Sequence, residues 1–225
     1  MMKTVKLLAA LTVLALGAMA GTISQVNTRI GLAANDIVQW GLVGADGTFV
    51  TSPYNVVSGG GLNLSAAVTG GLVAIYVQSG SGGYLGAFSP GDILLDSGFY
   101  PGPITIDFAT AVRGVGFNIG SLNFGAFTGT IQFFGAGNVS FGTLNVAGTS
   151  SFANDGSAPF LGGTSSARDI TRVVISTSGA GSELTINQMS LLTTDAPGGD
   201  IPEPSTITLF SAALVGCAWM RRRRA

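Results

Sequence analysis

Apolar and polar residues alternate along the chain from about residue 37 to residue 192. In the stretch 104–108 the apolar residues take every second position, and Thr105 and Asp107 stand between them. Neighbouring side chains of a β-strand point to opposite faces, so this period of two predicts strands with one buried face. Further stretches with this pattern, most of them bounded by Gly, Asn, Asp, Ser or Pro, are 37–43, 62–68, 72–78, 115–119, 131–133, 139–141, 144–146, 170–176 and 184–192.

The spacing of these stretches predicts one folded domain over residues 21–194. Roughly ten to twelve short strands at hairpin spacing indicate an all-β fold, and we expect an antiparallel β-sandwich of the jelly-roll kind. No window of this region has the 3.6-residue period that is typical of a helix. A short polar linker, 195–201, follows the last predicted strand.

The first twenty residues have the layout of a secretory signal peptide. Lys3 and Lys6 provide positive charge, residues 7–17 are mostly apolar, and Ala18 and Ala20 provide the small residues of a cleavage site. We therefore expect a signal helix over 1–20 that is cleaved after Ala20. A buried N-terminal helix is the alternative, but it fits the polar residues that follow less well.

The last 24 residues have a different layout. Pro202, Glu203 and Pro204 interrupt regular structure, and residues 205–220 then contain no charge. As a helix this segment is about 24 Å long, so snorkelling arginine side chains are needed for it to cross a hydrocarbon core of about 30 Å. The arginines that end the segment are Arg221, Arg222, Arg223 and Arg224. The positive-inside rule places them in the cytoplasm and the domain outside.

The tripeptide, the apolar span and the arginine cluster stand in the order of the PEP-CTERM sorting signal, and the tail at 202–225 resembles it. The resemblance implies an exported protein of a Gram-negative bacterium that makes exopolysaccharide and biofilm matrix. It also implies a membrane-anchored precursor that an exosortase, a cysteine-dependent membrane enzyme, cuts near the tripeptide. Release to the cell surface or the extracellular matrix would follow. The alternative is a tail anchor that is never cut.

Residues 91–192 also resemble the β-sandwich domains that often precede this tail. The stretches that carry the resemblance are 104–108, 113–119 and 169–175. Such domains look like carbohydrate-binding sandwiches, so the resemblance implies an extracellular polysaccharide as a partner. It identifies no ligand residue in this chain.

Charge and composition exclude several kinds of function. Between residues 21 and 204 four arginines stand against eleven acidic residues, which gives a formal charge of −7. A nucleic-acid partner is therefore not expected, because phosphates require a basic surface. The chain has no histidine, and its one cysteine, Cys217, lies in the apolar tail. Zinc held by Cys or His, a Ser-His-Asp triad and intrachain disulfides are excluded in the processed domain.

Carboxylates are the remaining acid–base groups, and a glycosidase needs two of them on either side of the bond that it cuts. Glu183 is the only glutamate before the linker, and Asp92 and Asp96 flank a Gly- and Pro-rich segment typical of turns. No catalytic pair is evident. We therefore predict a protein that is not an enzyme, and keep a carbohydrate-active enzyme on the same scaffold as the alternative.

Metal and glycan sites are the other candidates. Loop carboxylates could hold a structural calcium ion, but Asp36, Asp46, Asp155 and Asp169 form no calcium-loop motif and are more typical of turns and strand ends. We therefore predict no metal and no cofactor. The candidate glycan contacts are the aromatic residues in loop-like sequence, Tyr84, Phe99 and Tyr100. Trp40, Tyr54 and Tyr76 are more typical of a core, and we expect Arg113 and Arg172 to pair with Asp107 or Asp169.

The leading hypothesis is thus a non-enzymatic surface or matrix protein, sorted through its tail and retained with extracellular polysaccharide. A carbohydrate-active enzyme and a purely structural coat protein or adhesin remain open beside it.

Overall fold

A computed structural model of the protein describes residues 22–68, 72–77, 86–98, 102–179 and 183–195. The predicted signal peptide with Ala18 and Ala20, and the whole tail from Pro202 to the end, lie outside these residues. Tyr84, Phe99 and Tyr100 lie outside them as well. No helix among the described residues is long and apolar enough to span a membrane.

Fifteen strands form within the described residues. They are β1 Ser24–Val26, β2 Asp36–Val38, β3 Thr48–Thr51, β4 Tyr54–Val57, β5 Asn63–Val68, β6 Leu72–Val77, β7 Ile93–Asp96, β8 Ile104–Val112, β9 Gly114–Ser121, β10 Gly125–Phe134, β11 Ser140–Ser150, β12 Phe160–Thr164, β13 Ile170–Gly179, β14 Leu184–Ile186 and β15 Met189–Leu192. One short helix, α1 Arg29–Leu32, and two single turns of 3-10 helix, Trp40–Leu42 and Ala136–Asn138, complete the described elements.

The strands form two antiparallel sheets. One sheet has nine strands, in the order β1-β12-β9-β14-β7-β6-β3, with β15 also beside β9 and β2 beside β15. The other has six strands, in the order β11-β10-β13-β8-β5-β4. The predicted all-β antiparallel sandwich is therefore confirmed. The jelly-roll connectivity and the two terminal helices stay predictions.

The hydrophobic core lies between the sheets and follows the alternation in sequence. Ile104 and Ile106 of β8 are fully buried, and so are Phe117 and Ile119 of β9. Burial of each such side chain contributes about 1.5–3 kcal/mol relative to exposure, so the facing strands supply most of the stability. The intervening residue Asn118 points to the opposite face of the nine-stranded sheet.

Three elements differ from the sequence prediction. The predicted strand 37–43 ends at Val38, and the chain turns through Trp40, whose indole Nε1 donates to the Asn187 carbonyl over 2.8 Å. A buried indole N–H needs such an acceptor. The predicted strand 184–192 is divided into β14 and β15. The helix α1 spans a single turn, too short to show a period, and Thr28 caps it by accepting from Gly31 N over 3.0 Å.

Strands β1, β3, β4, β7 and β12 were not predicted either. In β12, Gly162 and Gly163 interrupt the expected alternation because neighbouring atoms fill the space that a Cβ would need. A Cβ on Gly162 would stand 2.8 Å from Cε1 of Phe160, and a Cβ on Gly163 would stand 2.8 Å from Cζ of Phe133, closer than real Cβ contacts allow. Glycine at these positions permits the close approach of the rings.

The prediction that Asp96 is a turn residue is wrong. Asp96 ends β7 and is 1% exposed. Its Oδ2 accepts from the Thr185 hydroxyl over 2.7 Å, and its Oδ1 accepts from Gly98 N over 2.6 Å. Burial raises the pKa of Asp96 to about 7, and the nearby charge of Glu183 acts in the same direction, while the two hydrogen bonds oppose it.

We expect Asp96 to make stability depend on pH. Its pKa in the folded state lies above the unfolded value, so its contribution is fully present below about pH 4 and is lost as pH rises through about 7. The free energy of unfolding, measured with denaturant, should fall by roughly 4 kcal/mol across this window because of Asp96. Asp96→Asn should remove that fall.

The control is Asp195→Asn, which changes an exposed carboxylate and should keep the pH profile of the parent protein. If the free energy of unfolding depends on pH in the same way in the parent protein and in Asp96→Asn, Asp96 is not the source of the pH dependence.

Candidate functional site

A β-bulge interrupts the nine-stranded sheet where β14 passes into β15. Both strands pair with the same side of β9, with Ile186 opposite Ile119 and Ser190 opposite Gly116. Three residues therefore stand between Ile186 and Ser190, but only two stand between Gly116 and Ile119 on β9. On its far side the bulged strand changes partner from β7 to β2. Bulges of this kind redirect side chains and are frequent next to binding sites.

Asn187 holds the bulge in place and is 3% exposed. Its backbone N–H donates to the Asn118 carbonyl over 3.1 Å, and its side-chain Oδ1 accepts from Asn118 N over 2.8 Å. Its own carbonyl accepts from the Trp40 indole. The Asn187 side-chain oxygen thus accepts from Asn118 N in place of a backbone carbonyl. The amide Nδ2 of Asn187 is directed to the outer face of the sheet.

Arg29, the first residue of α1, lies over the same place. Its Nη1 donates to the Ser190 hydroxyl over 2.6 Å, and its Nη2 lies 3.4 Å from Oδ1 of both Asn118 and Asn187. Its guanidinium carbon stands 6.0 Å from the centre of the Phe160 ring. Burial lowers the pKa of Arg29 and the charge of Asp92 opposes this, but the guanidinium stays cationic at any physiological pH.

Asp92 closes the network from the loop before β7. The Asn187 amide Nδ2 donates to its Oδ2 over 3.1 Å, and Ser89 N donates to the same oxygen over 3.2 Å. Asp92 is therefore a turn residue, as predicted, and also an acceptor in this site. Its Oδ1 makes no hydrogen bond within the described part of the chain, so it is free to accept one from a ligand.

These side chains line a polar pocket of about 230 Å³ on the outer face of the nine-stranded sheet. We call it the Arg29 pocket and define it by Arg29, Ser89, Asp92, Asn118, Asn187 and Gln188. An adjoining, more apolar pocket of about 500 Å³ shares Arg29 and Gln188 and includes Ile30, Ala33 and Ile37. Together the two form a groove with a polar end and an apolar end.

The groups in the Arg29 pocket suit a neutral ligand that is rich in hydroxyl groups. The Arg29 guanidinium and the side-chain amides of Asn118 and Gln188 can donate, whereas the Asp92 carboxylate and amide oxygens accept, so a hydroxyl could use both its donor and its acceptor capacity. The Asn187 amide already donates to Asp92 and Asn118. Small-molecule sites typically combine a few converging polar groups with apolar walls. Asp92 is the one carboxylate among the residues that line this pocket.

Sequence reasoning did not single out Arg29, Asn118 or Asn187. A signal was present in the adjacent polar residues Asn187 and Gln188, which interrupt the alternation of the stretch 184–192. The structure places Trp40 and Tyr54 in the core, as expected. Tyr54 is almost fully buried, and this burial raises the pKa of its hydroxyl.

Two of the candidate calcium ligands, Asp36 and Asp155, accept hydrogen bonds within turns and loops. The Asp36 carboxylate accepts from Ile37 N over 2.7 Å, from Gly60 N over 2.6 Å and from the Ser58 hydroxyl. Asp155 accepts from Ser157 N over 3.0 Å within a turn. Hydrogen bonds from the Ser157 hydroxyl and from its backbone N–H lower the pKa of Asp155. Across the described ranges, no three Asp, Glu, His or Cys side chains converge as a metal site would require.

The two arginines singled out in sequence behave differently. Arg172 Nε pairs with Asp107 Oδ1 over 2.5 Å, across the strands β13 and β8, as expected. Arg113 instead donates to the Ser165 carbonyl over 3.3 Å.

In the sequence, the β-sandwich is followed by a Pro-Glu-Pro tripeptide, an apolar span and an arginine cluster, the layout of a sorting signal of exported bacterial proteins. The chain carries a PEP-CTERM protein-sorting motif, whose family model matches residues 200–224. This range contains both the Pro202-Glu203-Pro204 tripeptide and the four terminal arginines. The motif indicates export in a Gram-negative bacterium, a membrane-anchored precursor and processing by an exosortase.

Two solved structures resemble the chain weakly. A DUF4465 family protein from Bacteroides caccae is 7% identical, with a TM-score of 0.44, and the match covers 71% of this chain and 100% of that one. CsCBM6-3 from Clostridium stercorarium, solved in complex with cellobiose, is 13% identical, with a TM-score of 0.34, and the match covers 65% and 94%. Both TM-scores are below 0.5, so no function is taken from these likenesses. No curated protein matches the sequence significantly.

We expect a charge at position 187 to disrupt the network. Asn187→Asp would place a buried second carboxylate about 3 Å from Asp92, and should lower the free energy of unfolding by roughly 2–4 kcal/mol. Asp92→Asn alone should change the free energy of unfolding little. Added to Asn187→Asp, it should restore at least about 1 kcal/mol of that free energy.

Denaturant unfolding of the four proteins in this cycle measures the coupling between the two positions. If the two single substitutions change the free energy of unfolding by amounts that add up to the effect of the double variant within about 0.5 kcal/mol, Asn187 and Asp92 do not interact.

Proposed function

We propose that this chain is a non-enzymatic surface or matrix protein that binds a neutral extracellular glycan in the Arg29 pocket. The observation that carries the proposal is the convergence of Arg29, Asp92, Asn118 and Asn187 around one pocket. Each is held by partners on a different element, so little conformational freedom is lost when a ligand binds.

The size and shape of the groove support a chain-like sugar ligand. The Arg29 pocket is smaller than sites for drug-sized molecules, which occupy roughly 300–1,000 Å³, and suits one sugar residue. The adjoining apolar pocket offers Ile30 and Ala33 to the C–H face of a second residue. The formal charge of −7 over residues 21–204 disfavours a strongly anionic polysaccharide.

The sorting signals give the glycan site its setting. We propose that the signal peptide is cut after Ala20, and that the segment 205–220 holds the precursor in the membrane with Arg221–Arg224 in the cytoplasm. An exosortase then cuts near Pro202-Glu203-Pro204, and the released domain is retained in exopolysaccharide or biofilm matrix through its glycan site.

The enzyme alternative has one observation in its favour, the raised pKa of Asp96 near Glu183. Asp96 is fully buried, both of its oxygens accept hydrogen bonds, and it lines neither pocket of the groove. Asp92 is the one carboxylate that lines the Arg29 pocket. The other carboxylate of the groove, Asp36, accepts hydrogen bonds from Ile37 N, Gly60 N and the Ser58 hydroxyl, so it is held as a structural acceptor and does not supply the second carboxylate that glycoside hydrolysis requires. We therefore propose binding without catalysis and without a cofactor.

We expect Arg29→Ala to weaken glycan binding at least tenfold, because it removes donors from the centre of the pocket. The matched control is Arg168→Ala, which removes an exposed arginine outside the groove and should bind like the parent protein. A glycan array identifies the ligand, and titration of the best neutral oligosaccharide measures the affinities.

Absence of binding to any glycan would leave the structural coat or adhesin, and release of shortened glycans would establish the enzyme. Equal affinities for the two arginine variants would place the site elsewhere, for example at Tyr84, Phe99 and Tyr100.

Sorting is tested separately by the intact mass of the protein recovered from the cell surface. We expect a form that begins at Gly21 and ends near the tripeptide. A surface form that still contains Arg221–Arg224 would show an uncut tail anchor instead.

A further inference from the structure

Strand β11 forms an unusually long free edge. It spans 11 residues and pairs with β10 on one side, and no strand pairs with its other side within the described residues. The strands at the other sheet edges, β1, β2, β3 and β4, have only three or four residues each. Natural proteins keep edges short, or place charge or proline on them, to prevent pairing with other chains.

The edge at β11 carries none of these protections. No charged residue and no proline occurs in β11, and no charged residue occurs anywhere between residues 114 and 154. The remainder of the processed chain is strongly acidic. This net negative charge repels a second copy, and the hairpin of β10 and β11 adds no carboxylate to that repulsion.

The hydrogen bonds show which peptide groups of β11 point outward. Asn145 lies opposite Thr130 of β10, and the two side chains hydrogen-bond over 2.8 Å. The Asn145 carbonyl accepts from the Gln25 side chain of β1 over 3.4 Å, so it is turned away from β10. In an antiparallel strand every second residue shares this direction, so the outward-facing residues are Thr143, Asn145, Ala147 and Thr149.

We propose that β11 pairs antiparallel with β11 of a second copy of this chain, about a two-fold axis at Val146. This register sets Thr143 opposite Thr149 and Asn145 opposite Ala147, so all four outward-facing residues exchange hydrogen bonds. The exposed Gln25 side chain then yields its long hydrogen bond to the Asn145 carbonyl to Ala147 N of the second copy. The two six-stranded sheets then form one continuous sheet. Strand addition of this kind is stabilised mainly by backbone hydrogen bonds, and a two-fold interface is self-complementary.

The side chains suit this arrangement. Thr143, Asn145, Ala147 and Thr149 are exposed and small or neutral, so no like charges meet across the new pair. On the other face Leu144 and Val146 are half-buried against the core and would meet their counterparts. The inference concerns assembly alone and does not depend on glycan binding.

The test is disulfide formation between copies of the full chain, produced in membranes, with Cys217→Ala as the background. At the two-fold axis the two copies of residue 146 form a non-hydrogen-bonded pair with Cα atoms about 4.5 Å apart, within the range of a disulfide. Val146→Cys should therefore yield a cross-linked dimer on a non-reducing gel.

The matched control is Thr128→Cys on β10, which should stay monomeric. This exposed site is about 16 Å from its copy, three strand spacings across the sheet and two residues along it. Because Val146 is half-buried, a second pair uses exposed positions. Co-expressed Asn145→Cys and Ala147→Cys chains should form a mixed dimer in preference to dimers of either variant alone.

Ala147→Lys, added to Val146→Cys, places a charge on the free edge and should reduce cross-linking at least tenfold. Thr128→Lys adds the same charge away from the edge and should leave cross-linking unchanged. Equal cross-linking through residues 128 and 146, or insensitivity to Ala147→Lys, would overturn the proposal.

Discussion

The Asn187 side-chain oxygen takes the place of a backbone carbonyl and accepts the hydrogen bond of Asn118 N in β9. Beyond this point the pairing with β9 continues in β15, shifted by one residue relative to β14. This substitution lets β14 pair with β7 and β15 pair with β2 while both remain on β9. The Trp40 indole completes the arrangement from the core side by occupying the Asn187 carbonyl. The pocket on the outer face exists because the neighbouring strands change at this point.

The two faces of the nine-stranded sheet differ in chemistry. The inner face is an apolar core, whose burial offsets the entropy of ordering the chain. The outer face includes buried polar groups, which are tolerated where hydrogen-bond partners satisfy them. Asp92 and Asp96 differ in their surroundings, although only three residues separate them. Asp96 is enclosed, and burial raises its pKa to about 7, whereas Asp92 lies in a polar network beside Arg29.

The chain has no histidine, and its one cysteine lies in the tail, so the functions proposed for its surfaces are binding and assembly. The uncharged β10–β11 hairpin is the surface proposed for assembly in an otherwise acidic domain. The sorting motif indicates export, which is consistent with the proposed groove for a hydroxyl-rich ligand. These features are independent of one another along the chain.

The sequence by itself determined the sandwich class, most of the long strands and the sorting tail. The strands follow from the alternation of apolar and polar residues, and the tail follows from the length of its apolar span and the order from Pro-Glu-Pro to the arginines. Each of these patterns involves residues that are close together in the chain. Strands such as β12, where Gly162 accommodates the Phe160 ring, do not show the alternation and could not be predicted from it. Only the tertiary structure decided the binding groove and the free edge. Arg29 and Asn118 are 89 positions apart, and Asn118 and Asn187 are 69 apart. No local pattern records which distant strands become neighbours, because that choice depends on how two whole sheets bury their apolar faces together.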